Sequence, residues 1–177
     1  MNHKQLMSQL ENCKNNFILT MAGLAVIIDP GGKDILRKSH CKFDGFSINF
    51  DQVATLLEDP ADAQIAVTEA VLSPFRALLK ESFELVKTYA NSNNQKPKFQ
   101  NFPSYRFHRL LRNAISHNFC WDLQTRGNFY GYLPLNWRGI VIDRSMHNQP
   151  VRREHLPFGA MWQLYVDLET EARISLS

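Results

Sequence analysis

An arginine and a histidine five positions apart, Arg112 and His117, are the residues of this chain best suited to chemistry. They bound the stretch Arg112-Asn113-Ala114-Ile115-Ser116-His117, which reads R-N-x-x-x-H. A guanidinium is permanently charged and offers phosphate a planar fork of donors. An imidazole titrates near neutral pH and can take or give a proton. Side by side, the two point to a phosphodiester, either bound or cleaved.

The spacing of apolar residues predicts a helix over residues 103–118. Phe107, Leu110, Leu111, Ala114 and Ile115 recur at i, i+3, i+4, i+7 and i+8 and form its core stripe. At about 100° per residue, His117 falls about 90° to one side of that stripe and Arg112 about 130° to the other. The outward arc between them holds Arg106, Arg109, Asn113 and Ser116. Asn113 and His117 are i, i+4 neighbours and are expected to touch. One helix supplies one histidine, whereas acid–base cleavage of a phosphodiester usually uses two proton-transfer groups. A twofold dimer packing this face against its copy would bring a second His117 and a second Arg112. The plainer structural alternative makes His117 a histidine that offsets the helix dipole and Arg112 a solvated charge.

The stretch from Leu111 to Asn118 resembles the signature of HEPN domains, small and mostly helical proteins with an R-x-x-x-x-H type motif and often a polar residue after the arginine. Here that residue is Asn113. The specific part of the resemblance is six residues, and the helical plan of most of the chain accompanies it. The resemblance implies a metal-independent RNA endonuclease of the kind found in toxin–antitoxin, abortive-infection and other antiviral defence systems. It implies Arg112, His117 and Asn113 as catalytic residues. His117 would move the proton at the ribose 2′-hydroxyl and the leaving oxygen. Arg112 would stabilise charge on the scissile phosphate, and Asn113 would orient His117 or contact phosphate. Arg106, Arg109 and Ser116 would bind RNA. The products would be a 2′,3′-cyclic phosphate and a 5′-hydroxyl. The implied partners are RNA, a second copy through the motif helix, and a separate antitoxin protein, since no nucleotidyltransferase signature is attached. No cofactor and no metal are expected. Other HEPN domains only bind RNA or nucleotides, or act as dimeric helical scaffolds, and these are the alternatives.

The elements that must position the motif follow from periodicity. Leu6, Leu10, Cys13, Phe17, Met21 and Leu24 predict a first helix over residues 3–28, ended by Asp29-Pro30-Gly31-Gly32. Residues 33–50 read as irregular, with a short extended piece at 45–50, and a brief helix follows from Asp51. Asp59-Pro60 opens a second long helix to about Tyr89, which Pro74 should kink or split. The motif helix is third. Two aromatic and β-branched runs, 129–133 and 138–142, predict a hairpin around residues 134–137. A last helix starts at Pro157. The expected fold is mainly α: a single domain over 1–177, an antiparallel bundle of four to five helices with a small β-hairpin before the last one.

Charge is unevenly spread. Residues 96–155 carry ten Lys/Arg against three Asp/Glu, a balance of +7, and the remainder of the chain balances at −4. A basic region of this kind favours an anionic partner. The three cysteines, Cys13, Cys41 and Cys120, are widely spaced and predict free thiols in a reducing cytoplasm. The apolar run 17–28 falls short of the roughly 20 residues of a membrane span and starts too late for a good signal peptide. His40, His108, His147 and His155 are dispersed and read as structural. Asp29-Pro30-Gly31-Gly32-Lys33 lacks the spacing of a phosphate loop. Phe129, Tyr130, Tyr132 and Trp137 suit either hairpin packing or stacking on bases, packing being favoured.

Overall fold

The structure, a computed structural model, describes residues 1–123 and 129–177, and the side chains of Phe129 and Tyr130 are outside that description. Those residues are mainly helical. In chain order they form α1 (His3–Ile28), α2 (Gly32–Lys38), β1 (His40–Phe43), β2 (Phe46–Asn49), α3 (Asp51–Leu56), α4 (Pro60–Ser92), α5 (Lys96–Gln100), α6 (Tyr105–Ser116), β3 (Leu135–Trp137), β4 (Ile140–Ile142) and α7 (Phe158–Ser175). Each strand pair is an antiparallel hairpin. Two compact units arise: Met1–Lys14 with Phe75–Ser177, and Asn15–Pro74. No helix among the described residues is long and apolar enough to cross a membrane.

The larger unit has a continuous apolar core. Leu6 and Leu10 of α1 meet Phe83, Val86 and Ala90 of α4, Phe99 of α5, and Leu168 and Ala172 of α7. Burying each large aliphatic or aromatic side chain contributes roughly 1.5–3 kcal/mol, so this cluster sets how α1, α4, α5 and α7 meet. Two buried tyrosines add direction. Tyr165 Oη donates to the Leu10 carbonyl at 2.9 Å, and Tyr89 Oη to the Leu176 carbonyl at 3.0 Å.

The smaller unit is thinly buried by comparison: Leu36 and Ala54 are its buried apolar side chains among the described residues. Its hairpin pairs Cys41 with Ile48 and Phe43 with Phe46 across an Asp44-Gly45 turn, with Gly45 at φ +86°. A side chain at that φ is strained, which is why glycine stands there.

The structure departs from expectation in three places. Residues 33–50, expected to be irregular, hold α2 and the hairpin β1–β2. The alternation Cys41, Phe43, Phe46, Ile48 around an Asp-Gly turn is the hairpin signal that periodicity alone passed over. The second hairpin is shorter and displaced: its strands are 135–137 and 140–142, and residues 129–132 form a 3₁₀ turn instead. Arg138 and Gly139, at φ +50° and +81°, make its two-residue turn, the geometry that matches strand twist. The short α5 was not expected. Pro74 lies inside α4 without ending it, and the boundary between the two units falls there.

Candidate functional site

The apolar face of α6 is built by Phe107, Leu110, Leu111 and Ala114, all fully buried. That burial fixes the helix's rotation and turns Arg106, Arg109 and Arg112, spaced at three residues, toward the opposite side. The start of α6 is held by α7. Ser104 Oγ donates to Glu171 Oε2 at 2.5 Å and the Ser104 amide to Oε1 at 3.3 Å. The Glu171 carboxylate thus meets the positive end of the helix dipole. Burial pushes its pKa up, though these two hydrogen bonds act the other way.

A cleft of about 330 Å³ opens beside this helix, lined by Phe83 and Lys87 of α4, Lys96 and Gln100 of α5, and Tyr105, Arg109, Arg112 and Asn113 of α6. A second hollow of about 250 Å³ shares Gln100, Tyr105 and Arg109 and adds Asn101, Arg106 and Tyr132. Five of the cations in or beside these hollows are Lys87, Lys96, Arg106, Arg109 and Arg112. The Arg106 guanidinium lies 4.2 Å from the Tyr132 ring centroid, a cation–π contact that leaves its donors at the rim.

Glu84 is the acid among these cations. Its Oε1 lies 2.5 Å from Arg112 Nε, and its Oε2 accepts from Lys87 Nζ at 3.0 Å. Partial burial works to raise the Glu84 pKa, but Lys87 and Arg112 outweigh it, and the carboxyl sits below its ordinary value. Neither Arg112 Nε nor Glu84 Oε1 makes an aligned hydrogen bond. The contact is ionic, so a phosphate can compete for the guanidinium's remaining donors.

Asn113 is buried at the cleft wall, whereas Ser116 is exposed. His117 stands apart from the cleft lining. The helix ends at Ser116, and His117 is its C-cap, at φ −130° and ψ 64°. Asn118 follows in the left-handed region at φ +56°, and the Phe119 amide returns to the Ala114 carbonyl at 2.9 Å. This is the closing bond of a Schellman cap, with asparagine at the position that most often takes glycine. Residues 103–118 are therefore not all helix, and the Asn113–His117 approach expected at i, i+4 is not realised as a hydrogen bond. The His117 side chain is half-buried and makes no hydrogen bond to a described residue. Phe119 is itself left-handed at φ +55°. For a bulky residue this is strained by roughly 1–2 kcal/mol. It is offset by the Val151 amide on its carbonyl at 2.8 Å and the Arg76 guanidinium over its ring at 4.3 Å.

His108 takes the structural role foreseen for it. It is fully buried, its Nε2 2.9 Å from the Leu79 carbonyl, its ring stacked on Phe83. Burial drives its pKa down to about 4, although the hydrogen bond acts upward. The neutral ring therefore donates from Nε2, and Nδ1 has no partner. Trp137 also packs rather than reaching for a base. Its ring stacks on Phe107 at 5.0 Å, and its Nε1 donates to Asp167 Oδ2 at 3.2 Å. Arg138 clamps the same carboxylate from Nε and Nη2, both at 2.9 Å. Stacking by Phe129 and Tyr130, and the charge of Arg126, lie outside the described residues.

The sequence reading placed Arg109 and Asn113 on one outward arc bordered by Arg112; the structure lines one cleft with all three, and Asn113 is buried there rather than outward. The sequence reading missed Glu84, Lys87, Gln100 and Tyr105. The signal for the first two was present: Glu84 and Lys87 are an i, i+3 pair flanking the core residues Phe83 and Val86. Lys96 had been counted only as part of the basic segment. No group of three or more metal-ligating side chains occurs among the described residues. Comparison with protein-family models, with curated proteins and with solved structures found no match.

Proposed function

We propose that this chain is a metal-independent RNA endonuclease of HEPN type, acting through Arg112 and His117. The observation that carries the reading is the cleft beside the motif helix, where Lys87, Lys96, Arg109, Arg112 and Asn113 line one hollow. Such a concentration of cations with a buried amide suits consecutive phosphates and a polar ribose edge. In this reading Arg112 exchanges part of its contact with Glu84 for the scissile phosphate. His117 moves a proton at the ribose 2′-hydroxyl. The attack of that oxygen on phosphorus releases a 5′-hydroxyl and leaves a 2′,3′-cyclic phosphate. One proton is removed and one delivered, so the two His117 side chains of a dimer through the motif helix share the work. A toxin or antiviral role with a separate antitoxin follows from the same resemblance.

A second reading, a non-catalytic RNA- or nucleotide-binding module, is favoured by one observation: His117 lies outside the cleft lining. Cleavage of single-stranded RNA by the native chain and by His117→Ala separates the two. The nuclease reading expects cleavage to vanish in the variant while RNA affinity changes little. The binding reading expects no cleavage by either protein, and affinity lost on Arg112→Ala.

A further inference from the structure

Of the aromatic side chains described in the larger unit, Tyr132 alone is exposed, at 49%, whereas Phe107, Trp137 and Tyr165 are buried. It closes the 3₁₀ turn 129–132. It stands in the smaller hollow, about 250 Å³, with Gln100, Asn101, Tyr105, Arg106 and Arg109. The Arg106 guanidinium lies over its ring at 4.2 Å, which holds both groups in place while each stays exposed. Around them lie polar ends without a protein partner. The side-chain amides of Gln100 and Asn101 and the hydroxyls of Tyr105 and Tyr132 make no hydrogen bond to a described residue. An amide offers donors and an acceptor, and a phenol one of each. The hollow thus presents a flat ring and a set of open edge partners.

We propose that this hollow is a pocket for one unpaired nucleobase of a strand whose phosphates lie in the larger cleft. The two hollows share Gln100, Tyr105 and Arg109 as a common wall. A nucleotide is built the same way, with an uncharged planar base on one side of its sugar and a phosphate on the other. The cleft lined by Lys87, Lys96, Arg109 and Arg112 takes the charge. The ring and the amides beside it take the base, by stacking and by hydrogen bonds to its edge. A simple anion such as free phosphate would use the cations alone and leave the ring and the amides idle. A duplex would leave them idle too, because its bases are paired and stacked within the helix. The substrate class is therefore single-stranded RNA with an accessible base next to the bound phosphates. This rests on the reading of the cleft as an RNA site, though not on cleavage. It adds Tyr132, Gln100 and Asn101 as the residues that select the strand.

The test is the affinity of the full chain for a 2′-fluoro single-stranded RNA, which lacks the attacking hydroxyl and so stays intact, read by fluorescence anisotropy. Tyr132→Ala should weaken binding about fivefold or more, while Tyr132→Phe, which keeps the ring, should stay within about twofold of the native chain. On the same strand with every base removed and the phosphates kept, Tyr132→Ala should bind as the native chain does, because no base is left to stack. The salt slope should be the same for Tyr132→Ala and native protein, since phosphates set it. Should Tyr132→Ala misfold by circular dichroism, Tyr132→Leu, which keeps bulk without a π-face, decides by the same criterion. Native-like binding by Tyr132→Ala overturns the proposal. So does a loss that is equal on the base-free strand, or a duplex bound by the native chain as tightly as the single strand. Cleavage is read separately on ordinary RNA. Base-dependent binding through Tyr132 without cleavage defeats the nuclease reading and leaves the pocket standing; cleavage with no effect of Tyr132 on binding does the reverse. A native chain that binds no RNA overturns both.

Discussion

Arg112 is held by a competitor, and that fact sets what its neighbours do. Glu84 partly neutralises the guanidinium that the proposed chemistry needs. Glu84→Gln should therefore tighten RNA binding several-fold at low salt, measured by fluorescence anisotropy, with a stability change below about 1 kcal/mol because the pair is partly exposed. Weaker binding would mean that Glu84 orients Arg112 rather than competing for it. Arg112→Lys should not rescue Arg112→Ala fully, since an ammonium cannot hold phosphate with a planar fork. His108 makes a different prediction. The folded chain keeps it neutral down to about pH 4, whereas the ordinary value is 6.5. Between those values the unfolded chain binds the extra proton, so stability falls as pH drops from about 6.5 toward 4 and levels off below. The contribution lost between pH 7 and pH 5 is on the order of 2 kcal/mol. Urea denaturation at the two pH values checks this, and His108→Phe should shrink the pH difference by that amount while keeping the contact with Phe83.

At the scale of elements, the motif helix was legible and its end was not. The stripe Phe107, Leu110, Leu111, Ala114 fixed both the existence and the rotation of α6, because burial selects one face. Its stop was hidden because Asn118, not glycine, takes the left-handed cap position. Asparagine also serves at helix N-caps and in turns, so its spelling is ambiguous. Asn118→Val should cost about 1–2 kcal/mol of stability and disturb His117, while Asn118→Gly should be neutral or better. Thermal melts with and without RNA measure both. The long helices α1, α4 and α7 declared themselves by period and the brief α3 by Asp51 at its start, but α2 and α5 are too short for a period to accumulate. The hairpin at β1–β2 was readable from Asp44-Gly45 and its alternating neighbours. The one at β3–β4 was misplaced because the aromatic run at 129–133 looked more strand-like than the three-residue strands that form. Of the site, the half on α6 was visible in one helix's pattern. Glu84, Lys87, Gln100 and Tyr105 join it through tertiary packing, which no local pattern encodes.

For the whole molecule, charge and apolar surface divide between the two units. Met1–Lys14 with Phe75–Ser177 carries sixteen Lys/Arg against nine Asp/Glu, whereas Asn15–Pro74 is acidic and apolar. A cleft with four cations in its lining should give a logarithmic salt slope of about −3 for single-stranded RNA. Titrations across salt concentrations measure it, and Arg109→Ala should reduce the slope by nearly one. The central claim is cleavage, and the most direct measurement is the fate of an end-labelled single-stranded RNA incubated with native protein, Arg112→Ala and His117→Ala, with the product ends identified. The account predicts 2′,3′-cyclic phosphate ends from the native chain alone, with both variants folded and inactive. Intact RNA with the native protein, or equal cleavage by His117→Ala, would contradict it.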